Sequence, residues 1–576
     1  MAAPPVKSVA VIGSGISGLT AAYYARRHLP HSTPLTIYES HPTHLGGWLQ
    51  TTHHSVEDKR VIFEHGPRSL RPVGLSGLCT FDLIRELGLE KELILVPKTH
   101  PSAKNRYVYY KGGLNKLPSA LLDLPKAAAT VPILRGLVSS VAHEPFAAKR
   151  PEGLEDESIG AFVRRRFGVR GVGVDTLLSA IVHGIYAADL DTLSVRSTFP
   201  ILWDLETYHG SVVKGMLGGA KRIPKDEREV KQETELKEKN KELVEMMNGM
   251  SVYSFKDGLA TLTERLRTSL SNDNVTFKFG TPVTDLSISP SSVTITAGSD
   301  NASFSHVIAN VAPKTLASIS PSLPLPTPPS TSSSTVLLVN LFFPPSAAPH
   351  VPAGFGYLIP KTVGLDENPH RALGIVFDSH GVPGQDSAEG VKLTVMLGGH
   401  WWSALSPSEL AEREEQGVEL ALGTVRRHLG IITKPILAEA HLQRECIPQY
   451  GVGHRGFLGK AKSVVEGWGG GRVSVVGAGW GGVSVNDCVR GGRDVGIGLE
   501  RGVTGLESTL YRLVPHGIIA VCVAVIFLKF LPVSIALRFA SKILPLYYMF
   551  DATGSATPQP APGPPNKSYP YTNDPS

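Results

Sequence analysis

Residues 8–29, SVAVIGSGISGLTAAYYARRHL, decide the fold. Val9 to Ile12 is a short, wholly apolar run, the pattern of a parallel strand covered on both faces. Gly13, Ser14, Gly15, Ile16, Ser17 and Gly18 then form a GxGxxG, and the residues after it have helical composition. That spacing alone recurs by chance. Here it leaves a strand and opens a helix, and LTIYES (35–40) adds a second strand ending in Glu39, 39 − 18 = 21 residues past the last glycine. The unit is a βαβ built for a dinucleotide. Gly13 permits a tight turn, Gly15 lets backbone N–H groups approach a pyrophosphate, and Gly18 lets the helix close on the strand. The helix N-terminus favours negative charge, and Glu39 accepts from ribose hydroxyls.

NAD and FAD share that fingerprint, so other segments must choose. Leu45-Gly46-Gly47-Trp48 follows Glu39 closely, and Phe63-Glu64-His65-Gly66-Pro67-Arg68 follows an apolar strand. Near the far end, RVSVVGAG (472–479) and then Trp480-Gly481-Gly482-Val483-Ser484-Val485 again give strand, small residues and helix start. A helix N-terminus of small residues can approach a flavin ring and favour negative charge on its reduced form. Each is commonly a plain turn. Together they favour FAD.

The chain has 576 residues, 42% hydrophobic and 19% charged, which suits about three globular domains. The net charge of +6 is too diffuse for nucleic acid but compatible with an anionic membrane surface or an acidic small molecule. Cys79, Cys446, Cys488 and Cys522 are widely spaced, which points away from a disulfide framework, and no metal site is expected. The N-terminus shows neither a signal-peptide core nor an Arg/Ser-rich presequence. Gly517–Leu537 is nearly all apolar and about as long as the ~20 residues a bilayer core requires, though Lys529 and Pro532 lie inside it. It reads as a membrane-attached segment, with a buried or interfacial helix as the alternative, and 551–576 as a disordered tail.

Between these ends, ALLDLPKAAA (120–129) and VPILRGLVSSVA (131–142) read as short helices, and the charged 221–247 stretch as a solvated helix or flexible excursion. VTFKFG, VTDLSI, SVTITA and HVIANVA read as strands, Pro321–Ser334 as a loop, and VLLVNLFF, LGIVF and VKLTVMLGG as a second sheet. Ser406–Leu429 reads as one amphipathic helix with Ser406 as N-cap, Pro407 at its first position and Glu409 completing a capping box.

In this order the chain resembles the protoporphyrinogen oxidase family, flavoenzymes of haem synthesis in the amine-oxidase-like FAD superfamily. The resemblance is carried by GSGISGL, LGGW, FEHGPRSLRP, Asn105-Arg106-Tyr107, LSVRSTFP (193–200), the charged 221–247 region, Gly354-Phe355-Gly356-Tyr357-Leu358, TVMLGG, CIPQY (446–450) and GVSVNDC (482–488). It runs from residue 8 to about 500. It implies an α/β protein with a discontinuous Rossmann-like FAD-binding domain (1–100, 220–305 and 436–505). A helical membrane-binding domain (101–219) and a mixed-sheet substrate domain (306–435) accompany it, whereas the hydrophobic extension (506–550) has no counterpart in the family. FAD contacts carry over to Gly13–Gly18, Glu39, Ser40, Trp48, Gly66, Pro67, Arg68, Ser69, Val283, Ala478, Val483, Ser484 and Val485. The tetrapyrrole pocket carries over to Arg106, Gly184, Phe355, Leu358 and Met396. His44 and His183 stand where relatives show arginine.

The implied reaction is oxidation of a porphyrinogen, with flavin removing hydride and dioxygen reoxidising it to give hydrogen peroxide. The residue types agree: an apolar macrocycle with carboxylate edges needs aliphatic and aromatic walls and a few cations. No residue is identified as general base. Mitochondrial members lie on the inner membrane facing the intermembrane space. Coproporphyrinogen III oxidation, another amine-oxidase-like activity, and a flavin-binding membrane assembly partner remain as alternatives, as do a homodimer and a contact with ferrochelatase.

Overall fold

A computed structural model describes residues 4–118, 131–134, 137–168, 172–218, 223–224, 226–330 and 333–507. The fold is mixed α/β. Val9–Ile12 forms the central strand of a five-stranded parallel sheet, ordered Val473–Val475, His306–Ala309, Val9–Ile12, Leu35–Tyr38, Thr276–Lys278. Its four residues are buried because strands flank both edges, the helix Ile16–His28 covers one face, and the three-stranded sheet Asp285–Ile288, Val293–Ala297, Asp300–Phe304 helps cover the other, which is why the run is apolar without alternation. The helix Ile16–His28 returns along the sheet, buried from Ile16 to Arg26.

A seven-stranded sheet holds the second core. Its order is Leu437–Pro448, Ser333–Phe343, Val391–Gly398, Ala372–Val376, Gly356–Leu358, Tyr107–Tyr110, Gly113–Lys116, and every pair is antiparallel except Gly356–Leu358 with Tyr107–Tyr110. Four strands of this sheet fall outside the segments read as strands: the two of the Tyr107–Lys116 hairpin, Gly356–Leu358 and Leu437–Pro448. The Tyr107–Lys116 hairpin sits amid residues read as helical; its aromatic run favours a strand, and the two-residue turn Lys111-Gly112 has φ of 53° and 72°, as a type I′ turn demands. Leu437–Pro448 lacks a clean alternation because it is covered unevenly along its length. The strand Asp300–Phe304 is likewise additional to the reading.

Other expectations are met in part. Ser406, Pro407 and Glu409 form the capping box, but the helix breaks at Gln416 into Pro407–Glu415 and Gly417–Leu429. The 221–247 stretch is helical over Glu227–Lys239 and Lys241–Met247. It is docked rather than loose: Leu236, Leu243 and Met247 enter the core, and Lys239 Nζ lies 2.7 Å from Asp82 and 2.9 Å from Glu86. Residues 504–507 also belong to the fold. Thr504 O accepts from Val475 N at 2.8 Å, and Leu506 is fully buried beside that strand. The helix read over 120–129, the apolar 517–537 segment and the 551–576 tail lie outside the described residues. Among the described residues, no helix is long and apolar enough to cross a membrane.

Candidate cofactor and substrate site

The turn after the first strand is shaped by what surrounds each glycine. Gly13 has φ +91°, and a Cβ there would sit 2.8 Å from Asn310 O; one on Gly18 would sit 2.2 Å from Gly13 O. Those two positions need glycine for the fold itself. Gly15 differs: its φ is −62°, and a Cβ would meet only Asn310 Nδ2, at 3.0 Å. Gly15 is also the N-cap of the helix that begins at Ile16 and Ser17, with no side-chain cap and no acid in the first turn. Its N-terminal N–H groups are therefore left for an anion.

Glu39 closes the other side of this crevice. Its carboxylate accepts from Ser14 N at 2.9 Å, Ser14 Oγ at 2.5 Å, His41 N at 2.8 Å and Ser40 Oγ at 3.2 Å. Burial raises its pKa, but the hydrogen bonds from His41 and Ser14 outweigh burial and hold it below the usual value, so Glu39 is ionised. Thr281 N donates to Glu39 O at 2.8 Å, bringing the Val283 segment alongside.

Three further segments converge on the turn. Gly46 pairs with Gly15 as an isolated parallel bridge, and Gly46 N donates to Ser14 O at 3.0 Å. A Cβ on Gly66 would lie 2.0 Å from Trp48 O, so the Gly66-Pro67-Arg68-Ser69 segment is pressed onto the Leu45–Trp48 loop. Arg68 Nε stands 3.1 Å from Asp378 Oδ1 without hydrogen-bond alignment, a close charge contact rather than a directed bond. Tyr450 hydroxyl links the C-terminal segment, donating to Ala478 O and accepting from Gly482 N at 3.0 Å. There the helix Val485–Gly498 is capped by Ser484, and Asp487 in its first turn takes hydrogen bonds from Ser484 and Ser76. This terminus is thus already satisfied by side chains, unlike the one at Gly15, and the expected help to a reduced flavin is correspondingly smaller. Val483 is half-buried against the helical core.

The pocket residues fall in two patches. Arg106 places its guanidinium 5.0 Å from the Phe355 ring centroid and donates to Ser102 O. Gly184, on the helix Val172–Tyr186, has room for no side chain because Leu358 Cδ2 would lie 2.8 Å from a Cβ. Leu358 stands opposite Gly374, Gly374 opposite Met396, Met396 opposite Leu338, and Leu338 opposite His441. Cross-strand partners share a face, so one apolar row runs from Leu358 to His441. His441 meets the His65 ring at 4.9 Å, one residue before Gly66. The row therefore leads from the pocket patch to the cofactor segment.

Sequence reasoning missed four contributors here. His65 shares Thr52 Oγ1 with Glu439, and burial lowers its pKa to about 4. Asp378 and Asn310 carry no motif, Tyr450 ends the CIPQY segment without being read as a site residue, and only the tertiary fold brings the three to the site. Among the described residues, no group of three His, Cys, Asp or Glu is placed to hold a metal.

Residues 16–495 match the family model of flavin containing amine oxidoreductases. The chain is 36% identical over 495 residues to the protoporphyrinogen oxidase of Schizosaccharomyces pombe, covering 84% of this chain and 97% of that protein. It is 32% identical over 502 residues to the human protoporphyrinogen oxidase, covering 85% and 98%. The chain belongs to the flavin containing amine oxidoreductases, among the protoporphyrinogen oxidases. A solved structure of a provisionally named protoporphyrinogen oxidase from Exiguobacterium sp. 255-15 aligns with TM-score 0.66 at 20% identity, covering 86% of this chain and 98% of that one. At that identity the likeness concerns the fold. For a protein of the flavin containing amine oxidoreductases, the uncapped helix at Gly15, the Gly46 bridge and the ionised Glu39 make a dinucleotide cradle of the right chemistry.

Proposed function

We propose that this chain oxidises protoporphyrinogen IX to protoporphyrin IX, with FAD as cofactor and dioxygen as electron acceptor, giving hydrogen peroxide in haem and porphyrin synthesis. The observation that carries this reading is the apolar row from Leu358 through Met396 to His441, which joins a wall for a macrocycle to the segment at Gly66. Arg106 immediately precedes the strand Tyr107–Tyr110, which pairs with the Leu358 strand of that wall, and Phe355 under its guanidinium pre-orients it for a propionate carboxylate. Bound FAD supplies hydride acceptance at the saturated bridging carbons. The chain's part is to hold the diphosphate at Gly13–Gly18, the ribose at Glu39 and Ser40, and the rest of the flavin along Trp48, Gly66–Ser69, Val283, Ala478 and Val483–Val485.

The same reading makes the parallel sheet a Rossmann-like FAD-binding domain, drawn from about 1–100, 220–305 and 436–507. The helices within 101–219 attach to a membrane, and 306–435 with the Tyr107–Lys116 hairpin forms the substrate domain. It places the protein on the mitochondrial inner membrane, facing the intermembrane space, with a homodimer and a ferrochelatase contact as its partners. Purified protein given protoporphyrinogen should develop porphyrin fluorescence with flavin bleaching under anaerobic conditions. No turnover of it, with turnover of coproporphyrinogen instead, would replace the substrate and leave the flavin chemistry standing.

A further inference from the structure

Asn310 ends the strand His306–Ala309 at the point where the two glycine turns meet, and its side chain touches both. Its backbone N–H donates to Ile12 O at 2.9 Å, and Nδ2 donates to Gly13 O at 3.2 Å. A Cβ on Gly15 or Gly18 would lie 3.0 or 2.9 Å from the same Nδ2, and one on Gly477 would lie 2.8 Å from Oδ1. The amide orientation follows from the network, since a flipped amide would set Oδ1 against Gly13 O, acceptor against acceptor. The donor end of the amide therefore faces the turn near the start of the chain, and the acceptor end faces the turn near residue 477. One side chain fills the space that four glycines leave open.

We infer that Asn310 is a positioning residue for the dinucleotide: it sets the separation of the two glycine turns and keeps the diphosphate side of the crevice lined by a donor. This rests on the reading that the crevice holds FAD. Aspartate is nearly isosteric with asparagine, so it keeps the packing but reverses the electrostatics. It would face Gly13 O without a proton and place a negative charge beside the crevice where the diphosphate is held. Alanine leaves a gap but adds no repulsion. A purely space-filling role predicts that alanine is the worse substitution; a positioning role through the donor predicts that aspartate is.

The test is release of FAD from the purified full-length holoprotein on dilution, followed as fluorescence of the freed flavin, with flavin content and thermal midpoint measured alongside. Asn310→Ala should release FAD roughly tenfold faster than the parent, and Asn310→Asp roughly a hundredfold faster or purify with less flavin than the alanine variant. Asn310→Asp that holds FAD as well as the parent, or better than Asn310→Ala, overturns the inference. Should the aspartate variant not fold, Asn310→Ser decides: it keeps a donor and should release FAD more slowly than Asn310→Ala, and equal rates overturn the inference. A parent protein that purifies without FAD would instead refute the cofactor reading, so the two failures are distinct.

Discussion

At the scale of single residues, the three glycines of the GxGxxG are not equivalent. Gly13 and Gly18 abut backbone at 2.8 and 2.2 Å, so a side chain there disturbs the fold whether or not a cofactor binds. Gly15 has ordinary dihedrals and space except toward Asn310 Nδ2. Gly15→Val should therefore yield a folded protein that lacks flavin, seen as an unchanged far-ultraviolet spectrum with no absorbance near the flavin bands; a yellow variant with full flavin content would show that the turn is not the diphosphate site. Arg106 gives a second prediction. A charge-assisted bond to a carboxylate contributes ~1.5–3 kcal/mol, so Arg106→Ala should lower kcat/KM for porphyrinogen by roughly ten- to a hundredfold with flavin content unaltered. Unchanged kcat/KM would take Arg106 out of the pocket.

At the scale of elements, the helices Ile16–His28 and Val485–Gly498 pack backbone against backbone. A Cβ on Gly492 would lie 2.4 Å from Ser17 O, and one on Gly496 would lie 2.6 Å from Ala21 O, so these glycines let the two backbones touch. Gly492→Leu should force the helices apart at a cost of at least ~1–3 kcal/mol. Because the second helix begins at Val485, flavin content should fall together with the thermal midpoint. A variant with the parent's midpoint would mean the crossing is looser than drawn. Elements with a strong local signal were legible in the sequence: the first strand and helix, the Glu39 strand, the Ser406 capping box and the Ser333–Phe343, Ala372–Val376 and Val391–Gly398 strands. The Tyr107–Lys116 hairpin and the Leu437–Pro448 strand were not. The hairpin's YVYY run and Lys111-Gly112 turn are a local signal hidden by the helical reading of the residues around them, whereas the burial of Leu437–Pro448 is set by neighbours far away in the chain, so no periodic pattern of its own marks it.

At the scale of the whole molecule, pH dependence follows from the buried titratable groups. Burial lowers the pKa of His65, His183, His306 and His454 to about 4. Each binds fewer protons folded than unfolded between pH 4 and 6.5, so its contribution to stability is lost as pH falls through that window. Glu64 opposes them: burial raises it to about 7, so the folded state binds more protons between pH 4.5 and 7 and loses stability as pH rises there. Four groups outweigh one. The thermal midpoint should fall on acidification from pH 6.5 to 4.5, and Glu64→Gln should steepen that fall; a midpoint that climbs on acidification would contradict the balance. Thr504 and Leu506 set where the chain can be cut. Removal of everything after Glu507 should preserve flavin and oxidase activity and ease release from membranes by carbonate, whereas a cut before Thr504 exposes the edge strand Val473–Val475 and should cost flavin.

The sequence by itself determined the βαβ cradle and the cofactor class, because the glycine spacing, the apolar strand and Glu39 act over one short stretch of chain whose geometry is local. It also carried the residue types of the pocket. What only the tertiary structure decided is which distant groups complete these sites: Asn310 between the glycine turns, Tyr450 on the C-terminal segment, Asp378 beside Arg68, and His65 against His441. Asn310, Asp378 and His65 lie hundreds of residues from these partners, and Tyr450 reaches across two elements to Ala478 and Gly482. Such contacts follow from strand order and register, which depend on the packing of both cores at once and leave no pattern in any single window of sequence.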